Sequence, residues 1–213
     1  MTTGPTSATA GRPTERLEAF SDAVIAIAIT LLVLEIRVPE HLDVHSSSDL
    51  WRELRDLWPA YLGYLISFST IGIMWANHHL IFKFIDRTDH YLTLINTVFL
   101  LFIGALPFPT AVLTEYLGHP GERTAAILYS GWFLLTALTY NLLWRYASSG
   151  NRLIASDANP RSIKEIRRRF NLGPPLYLVA FGLAFVSVRA CLGLMIALAL
   201  VYALPGSDVE SEG

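Results

Sequence analysis

The feature that most constrains this chain is its first apolar run, which follows Arg16 and Glu18 and continues to Leu34. One acid, Asp22, lies inside it, and one hydroxyl, Thr30, lies deeper. Roughly 20 apolar residues suffice for a helix that crosses the hydrocarbon core of a bilayer. An ionisable side chain inside such a span is costly and usually functional. We therefore expect this first span to be the working part of the protein.

Composition indicates a polytopic membrane protein. Apolar residues make up 53% of the 213 residues and charged residues only 16%, whereas soluble domains carry about 25% charged residues. The single Cys191 excludes an internal disulfide and any multi-cysteine metal site. No organic cofactor or resident metal is expected.

Several further apolar segments are long enough to cross the membrane as helices. With the first span they form the set 17–36, 59–82, 91–113 and 124–144, followed by the long stretch 174–204. A short amphipathic helix at 51–58 is expected to lie at the interface before the second span, because tryptophans favour the headgroup level. A short basic helix is possible at 160–170.

The stretch 174–204 leaves two arrangements open. As one helix it would be about 45 Å long at about 1.5 Å per residue, which exceeds a hydrocarbon core of about 30 Å. Arg189 would then lie near the bilayer centre. Two short helices that turn near Arg189 avoid both problems.

The distribution of basic residues predicts the orientation. With the N-terminus inside, the inner segments carry eleven Lys or Arg residues and the outer segments five. Positive residues concentrate on the cytoplasmic side. We therefore expect a multi-pass protein of the cell membrane with both termini in the cytoplasm.

One face of the first span combines apolar side chains with a hydroxyl. Ile27, Thr30, Leu31 and Leu34 follow the i, i+3, i+4, i+7 spacing of a single helix face. Several copies around an axis would form apolar rings, which can gate by dewetting, and one oxygen ring, which can replace part of an ion's water shell. Periodicity alone favours ordinary packing between helices over such rings.

Asp22 lies on the other side of the first span, about 140° from Ile27 at about 100° per residue. A buried carboxylate needs a hydrogen-bonded or charged partner. Two histidines near the end of the second span are expected at the same depth. We predict a network that fixes the first helix against the second, formed by Arg16, Ser21, Asp22, Asn77 and His78.

The sequence resembles a known family at two motifs. These are Arg16-x-x-x-Phe20-Ser21-Asp22 in the first span and Trp75-Ala-Asn77-His78-His79 at the end of the second. They resemble the prokaryotic branch of the transmembrane protein 175 family of endolysosomal-type potassium channels. The resemblance covers 16 to about 204 and implies an all-α channel domain at 16–205 with six transmembrane helices. The flanking segments, 1–15 and 206–213, are expected to be a disordered cytoplasmic tail and an acidic polar tail.

The resemblance also implies roles for individual residues. In the family the first helix lines a pore shared by four chains, which passes potassium in preference to sodium. An aliphatic residue five positions after the Asp forms the constriction, here Ile27, with Leu31 and Leu34 as further apolar rings. A hydroxyl three positions later, here Thr30, contributes to potassium preference. The two motifs, including Phe20, Trp75 and His79, would form a structural and gating network.

Other functions find less support. The Thr-Val-Gly-Tyr-Gly filter of other potassium channels and Gly-rich phosphate loops are absent from the sequence. The basic run Arg167-Arg168-Arg169 suits anionic lipid headgroups rather than nucleic acid. A proton-coupled secondary transporter using Asp22 and His78 is the main alternative, although the first span lacks the Gly or Pro that would break it. An intramembrane enzyme using the His pair would need a nucleophile or metal set that the sequence does not show.

Overall fold

The structure, a computed structural model, describes residues 13–39 and 46–203, and within these ranges it is built from eight α-helices. Their bounds are α1 Pro13–Leu31, α2 Ser47–Asp56, α3 Trp58–Phe82, α4 His90–Gly104, α5 Pro107–Tyr116, α6 Glu122–Ser148, α7 Pro160–Ala184 and α8 Val188–Ala203. One isolated bridge, between Ile85 and Ile154, is the only extended pairing among the described residues. The all-α prediction is confirmed.

The predicted tails fall mostly outside the described residues. Residues 1–12 and 204–213 lie there, and so do 40–45 of the loop after the first span. Helix α1 begins at Pro13, which is earlier than the expected start at Arg16.

Three continuous helical segments are long and apolar enough to cross a membrane. They are Thr14–Glu35, His90–Tyr116 and Glu122–Ser148. Helices α2 and α3 meet at a 45° bend and add a fourth span if the pair is counted as one. Helix α8 is apolar but shorter. The chain is therefore a multi-pass membrane protein, and the count of six spans remains a prediction.

The predicted interfacial lead-in is a separate helix, α2. Ser46 caps it, because its side chain accepts a hydrogen bond from the backbone N–H of Asp49. Trp51 and Trp58 are both exposed on this corner. Pro59 then occupies the first turn of α3, where its missing N–H costs nothing.

The final apolar stretch forms two helices, as the length argument favoured. Helix α7 ends at Ala184, α8 starts at Val188, and Arg189 is exposed in the first turn of α8. The basic helix predicted at 160–170 begins at Pro160 as expected, but it does not end at Phe170, because α7 continues through two internal prolines to Ala184.

A side-chain hydrogen bond replaces one of the two backbone hydrogen bonds that α7 loses at its internal prolines. Pro174 has no N–H to donate to the carbonyl of Phe170, four residues earlier. The amide of Asn141 on α6 donates to that carbonyl instead, at 3.0 Å. Because each unsatisfied backbone group in lipid costs several kcal/mol, this replacement stabilises the helix at the point where a break was expected.

Helix α6 is the centre of the bundle, and α4, α5 and α7 pack around it. Its buried aromatic side chains include Tyr129, Phe133 and Trp144. The hydroxyl of Tyr129 lies 2.8 Å from Ser67 of α3, which in turn lies 2.9 Å from Thr110 of α5. Helix α1 instead lies at the edge and contacts α3 and α4 along one face.

The turn between α3 and α4 is tied to the last turns of α6 and to the segment that follows α6. Asp89 caps α4 by accepting from the N–H of Leu92 at 2.8 Å and also accepts from the hydroxyl of Tyr146 at 2.6 Å. Donation from Tyr146 is the main reason that the pKa of Asp89 is lowered. Backbone hydrogen bonds such as Ala155 N–H to Phe84 O, at 2.9 Å, hold the two segments together.

Candidate pore helix and its anchor

Helix α1 and the 3₁₀ turn that extends it to Glu35 have two distinct faces. The buried face packs against α3 and α4, and its fully buried members are Ser21, Ile25, Ala28 and Leu32. The opposite face is a stripe that no described part of the chain covers, and we call it the α1 stripe. Its members are Ala19, Phe20, Ala23, Ala26, Ile27, Thr30, Leu31 and Leu34.

All four residues that were predicted to line a pore lie on the α1 stripe. Ile27 is 59% exposed and Leu34 is 70% exposed, while Thr30 and Leu31 lie between them on the same face. Packing against other helices of the same chain, the alternative that periodicity favoured, does not occupy this face in the described residues. The stripe is therefore available to other copies of the chain, to lipid or to water.

The hydroxyl of Thr30 has a defined orientation. It donates its proton to the carbonyl of Ile27, one turn back, at 2.8 Å. A hydroxyl has one donor and two acceptor lone pairs, so this bond uses the donor and leaves the oxygen free to act as an acceptor. On the α1 stripe, Thr30 thus offers an oxygen that suits a cation.

A buried chain of three polar side chains anchors α1. Ser21 donates to the carbonyl of Leu17 at 2.8 Å and accepts from the amide of Asn96 at 2.8 Å. The amide oxygen of Asn96 then lies 3.0 Å from Nε2 of His78, which acts as the donor in this arrangement. All three side chains are fully buried, so α1, α4 and α3 are joined by hydrogen bonds that water does not reach.

The ring of His78 is held by two aromatic neighbours as well as by its hydrogen bond. It stacks on Phe82 of α3, with ring centroids 4.4 Å apart, and on Phe99 of α4 at 5.7 Å. Stacking of this kind adds to the energy of burial. The position of His78, and through Asn96 that of Ser21, is therefore strongly constrained.

Two further contacts join α1 and α3 closer to the surface of the chain. The indole N–H of Trp75 donates to Asp22 at 2.9 Å. Nδ1 of His79 lies 2.7 Å from Oε1 of Glu18. His79 and Trp75 are both about half exposed. These pairs flank the buried Ser21–Asn96–His78 chain, and together the three contacts form what we call the α1 anchor.

The two sequence motifs meet as predicted, but their partners differ from the expected ones. Asp22 bonds to Trp75 and not to His78. The side chain of Asn77 has no hydrogen bond to a described residue of α1 and lines a cavity between α3, α6, α7 and α8. Arg16 is exposed and has no hydrogen bond or ion pair with another described residue. Phe20 lies on the α1 stripe and not in the α1 anchor.

Helix geometry explains these corrections. At about 100° per residue, Trp75 and His79 point in nearly the same direction, toward α1. Asn77 is about 200° from Trp75 on that scale and so faces away. His78 points in a direction between those of Asn77 and Trp75, toward α4, where it lies within hydrogen-bond distance of Asn96.

The sequence contained signals for the two partners that were missed. Asn96 is an amide inside an otherwise apolar third span, and polar side chains in such spans bond across helices. Glu18 lies four residues before Asp22, which places it on the same helix face. Neither signal identifies the residue with which Asn96 or Glu18 pairs, because the pairing depends on the rotational orientation of α3 and α4 relative to α1.

A bundle of apolar helices, with a first helix that is anchored on one face and uncovered on the other, defines the class of multi-pass membrane proteins. Comparison with known proteins agrees. The family model of the endosomal/lysosomal potassium channel TMEM175 matches residues 16–107.

Relatives extend the match over nearly the whole chain. A protein of Chamaesiphon minutus named as a potassium channel is 48% identical over 191 residues, which cover 90% of this chain and 94% of that protein. A potassium channel of Streptomyces collinus is 40% identical over 188 residues, which cover 88% and 90%. The chain belongs to the TMEM175 family.

A solved structure supports the same fold. The crystal structure of the TMEM175 homologue from Chamaesiphon minutus, described as a lysosomal potassium-selective channel homologue, superposes with a TM-score of 0.81 at 46% identity. The superposition covers 89% of this chain and 96% of that one. Because the family consists of ion channels, the expectation that this chain is not an enzyme is confirmed.

Replacement of Asn96 should test the α1 anchor. Asn96→Ala leaves both Ser21 and His78 without their buried partner, so we expect a loss of about 1–3 kcal/mol of stability. Thr97→Ala is the matched control, because the Thr97 hydroxyl is exposed and bonds only to Thr93 of its own helix. Thermal unfolding of both variants in detergent measures the difference. Equal effects of the two substitutions would show that Asn96 does not anchor α1.

Proposed function

We propose that this chain forms a potassium-selective channel that conducts passively through a homotetrameric pore lined by α1. The observation that carries the proposal is the uncovered α1 stripe, which brings Ile27, Thr30, Leu31 and Leu34 to one exposed face. The relatives that match most of the chain are named potassium channels.

The composition of the α1 stripe suits assembly around an axis. Ala19, Ala23 and Ala26 carry small side chains, and small residues let helices approach closely within a membrane. If the α1 stripe faced lipid, the Thr30 oxygen would have no cation or hydrogen-bond donor to interact with. Around a four-fold axis, the same oxygen would face the ion pathway.

Ile27 is the proposed constriction, with Leu31 and Leu34 as further apolar rings. A ring of isoleucine side chains offers an ion no oxygen, so a narrow ring blocks conduction by excluding water. Opening then requires α1 to move or rotate enough to widen the ring. The α1 anchor holds the opposite face of the helix and would set the rotation at which the ring is closed.

Thr30 is the proposed selectivity residue. It lies about 4.5 Å beyond Ile27 along the axis, at about 1.5 Å per residue. Four threonine oxygens, each with its proton bound to a backbone carbonyl, could ligate a partly dehydrated cation. Potassium releases water more readily than sodium, so weak oxygen ligands of this kind favour potassium.

We further propose that the cytoplasm lies on the side of the N-terminus of α1. Six spans are then formed by α1, α3, α4 with α5, α6, α7 and α8, and both termini are cytoplasmic. The excess of basic residues on the proposed inner side supports this orientation.

The basic run on α7 is proposed to face anionic lipid headgroups, although its three side chains diverge. Arg167 donates to the carbonyl of Ser148 at 2.9 Å. Arg169 points to α8, where it donates to the carbonyl of Tyr202 at 3.4 Å. Arg168 is exposed. The run therefore does not act as one patch.

Two substitutions test the proposed pore. Ile27→Asn supplies polar groups to the constriction and should raise conductance. Thr30→Val keeps the shape and removes the oxygens, so it should lower the preference for potassium over sodium while the oligomer persists. Conductance and reversal potential under bi-ionic conditions measure the two effects.

Thr97→Val is the control for Thr30→Val, because Thr97 is also exposed and also bonds to a backbone carbonyl of its own helix. It should leave the reversal potential unchanged. Unchanged conductance in Ile27→Asn, together with an unchanged reversal potential in Thr30→Val, would show that α1 does not line the pathway.

Cysteine labelling tests the proposed orientation. Ser47→Cys, at the exposed start of α2, should react with a membrane-impermeant thiol reagent added outside the cell. Ser156→Cys, exposed after α6, should react only after the cells are opened. Both variants are made in a Cys191→Ala background. The reverse labelling pattern would show that the protein lies in the membrane in the opposite orientation.

A further inference from the structure

A small cavity lies between the end of α6 and the first half of α7. Its volume is about 170 Å³, and it is lined by Arg145, Ser149, Arg167 and Asn171. Each of these four side chains carries a hydrogen-bond donor, and two of them are guanidinium groups. Among the described residues no carboxylate lines the cavity, which we call the α6–α7 pocket.

The donors of the α6–α7 pocket are largely unused within the described chain. Arg167 is positioned by its bonds to Ser148, at 2.9 Å to the carbonyl and 3.1 Å to the hydroxyl, which leave its other N–H groups free. The amide oxygen of Asn171 accepts from Asn141 at 3.3 Å, which leaves the Asn171 NH₂ group free. The side chains of Arg145 and Ser149 have no hydrogen-bond or ionic partner among the described residues.

Such a set of donors has a clear chemical preference. Guanidinium groups bind the oxygens of phosphate through paired, charge-assisted hydrogen bonds. A hydroxyl and an amide NH₂ add neutral donors to the same oxyanion. The α6–α7 pocket is therefore suited to a phosphate group.

Two exposed apolar stripes begin beside the pocket and run away from it along the proposed spans. On α6 the stripe follows Arg145 at helical spacing through Leu142, Leu138 and Leu135, all of them exposed. On α7 it continues from Asn171 through exposed Leu172, Leu178 and Val179. These surfaces would lie along acyl chains whose headgroup occupied the pocket.

We infer that the α6–α7 pocket binds the phosphate of an anionic phospholipid from the inner leaflet. The acyl chains would then follow the apolar stripes of α6 and α7. A soluble phosphate would use the donors but not the stripes, so the combination favours the lipid. The inference rests on the orientation proposed above, which places this end of α6 at the cytoplasmic leaflet, where anionic lipids concentrate.

The test uses the full chain in detergent and three probes: dioleoyl phosphatidylglycerol, dioleoyl phosphatidylcholine and inorganic phosphate. Native mass spectrometry measures bound lipid, and thermal unfolding measures stabilisation. We expect phosphatidylglycerol to bind and stabilise more than phosphatidylcholine, and inorganic phosphate to have little effect.

Arg145→Gln is the informative variant, because the Arg145 side chain has no hydrogen bond or ion pair with another described residue, so its loss should not disturb folding. It should weaken phosphatidylglycerol binding about tenfold, as expected for one charge-assisted contact. Arg161→Gln is the matched control, since it removes the same charge from an exposed residue of α7 that neither lines the pocket nor belongs to the basic run. It should leave binding nearly unchanged. Ser149→Ala provides a second pocket variant with no change of charge.

Two results would overturn the inference. Equal weakening by Arg145→Gln and Arg161→Gln would show that general surface charge attracts the lipid. Equal stabilisation by inorganic phosphate and phosphatidylglycerol would show that the site binds a soluble anion. Binding is measured without ion flux, so these results are independent of whether α1 lines the pore.

Discussion

The arrangement of this protein depends on one buried amide. Asn96 joins Ser21 of α1 to His78 of α3 through bonds of 2.8 and 3.0 Å, in a position closed to water. A polar group left unpaired inside a membrane protein is costly, so the three helices have few alternative rotations that satisfy it. A rotation of α1 by one residue, about 100°, would break the bond to Ser21 and turn the α1 stripe away from its present direction.

The proposed conduction chemistry follows from that fixed rotation. Because Ser21, Ile25, Ala28 and Leu32 are held inside, the residues between them must face outward. The outward face then combines apolar side chains with a Thr30 oxygen whose proton is already bound to Ile27. In the proposed tetramer, the apolar rings oppose ion passage and the oxygen ring distinguishes between ions, without a loop-based filter. The surface pairs Asp22–Trp75 and Glu18–His79 are placed where they would resist movement of α1 relative to α3.

The sequence predicted the apolar helices, the meeting of the two motifs and the shared face of Ile27 and Thr30, because each depends on helical periodicity or on the length of an apolar run. It did not predict the partners of Asp22 and His78, because these depend on the rotation of α3 and α4. The continuous α7 was also missed, since the hydrogen bond from Asn141 that replaces the missing donor of Pro174 comes from another helix. Sequence patterns of this kind predict individual helices and their faces, but they do not predict which side chains meet between helices.

Thiol accessibility in the conducting protein tests the role of α1 most directly. Thr30→Cys and Ala28→Cys would be compared in a Cys191-free background, because Thr30 is exposed on the α1 stripe and Ala28 is buried on the opposite face. The account predicts that a cationic methanethiosulfonate reagent blocks potassium flux through Thr30→Cys, that potassium slows this reaction, and that Ala28→Cys is unaffected. An unreactive Thr30→Cys in a protein that still conducts, or equal block of both variants, would contradict a pore lined by α1.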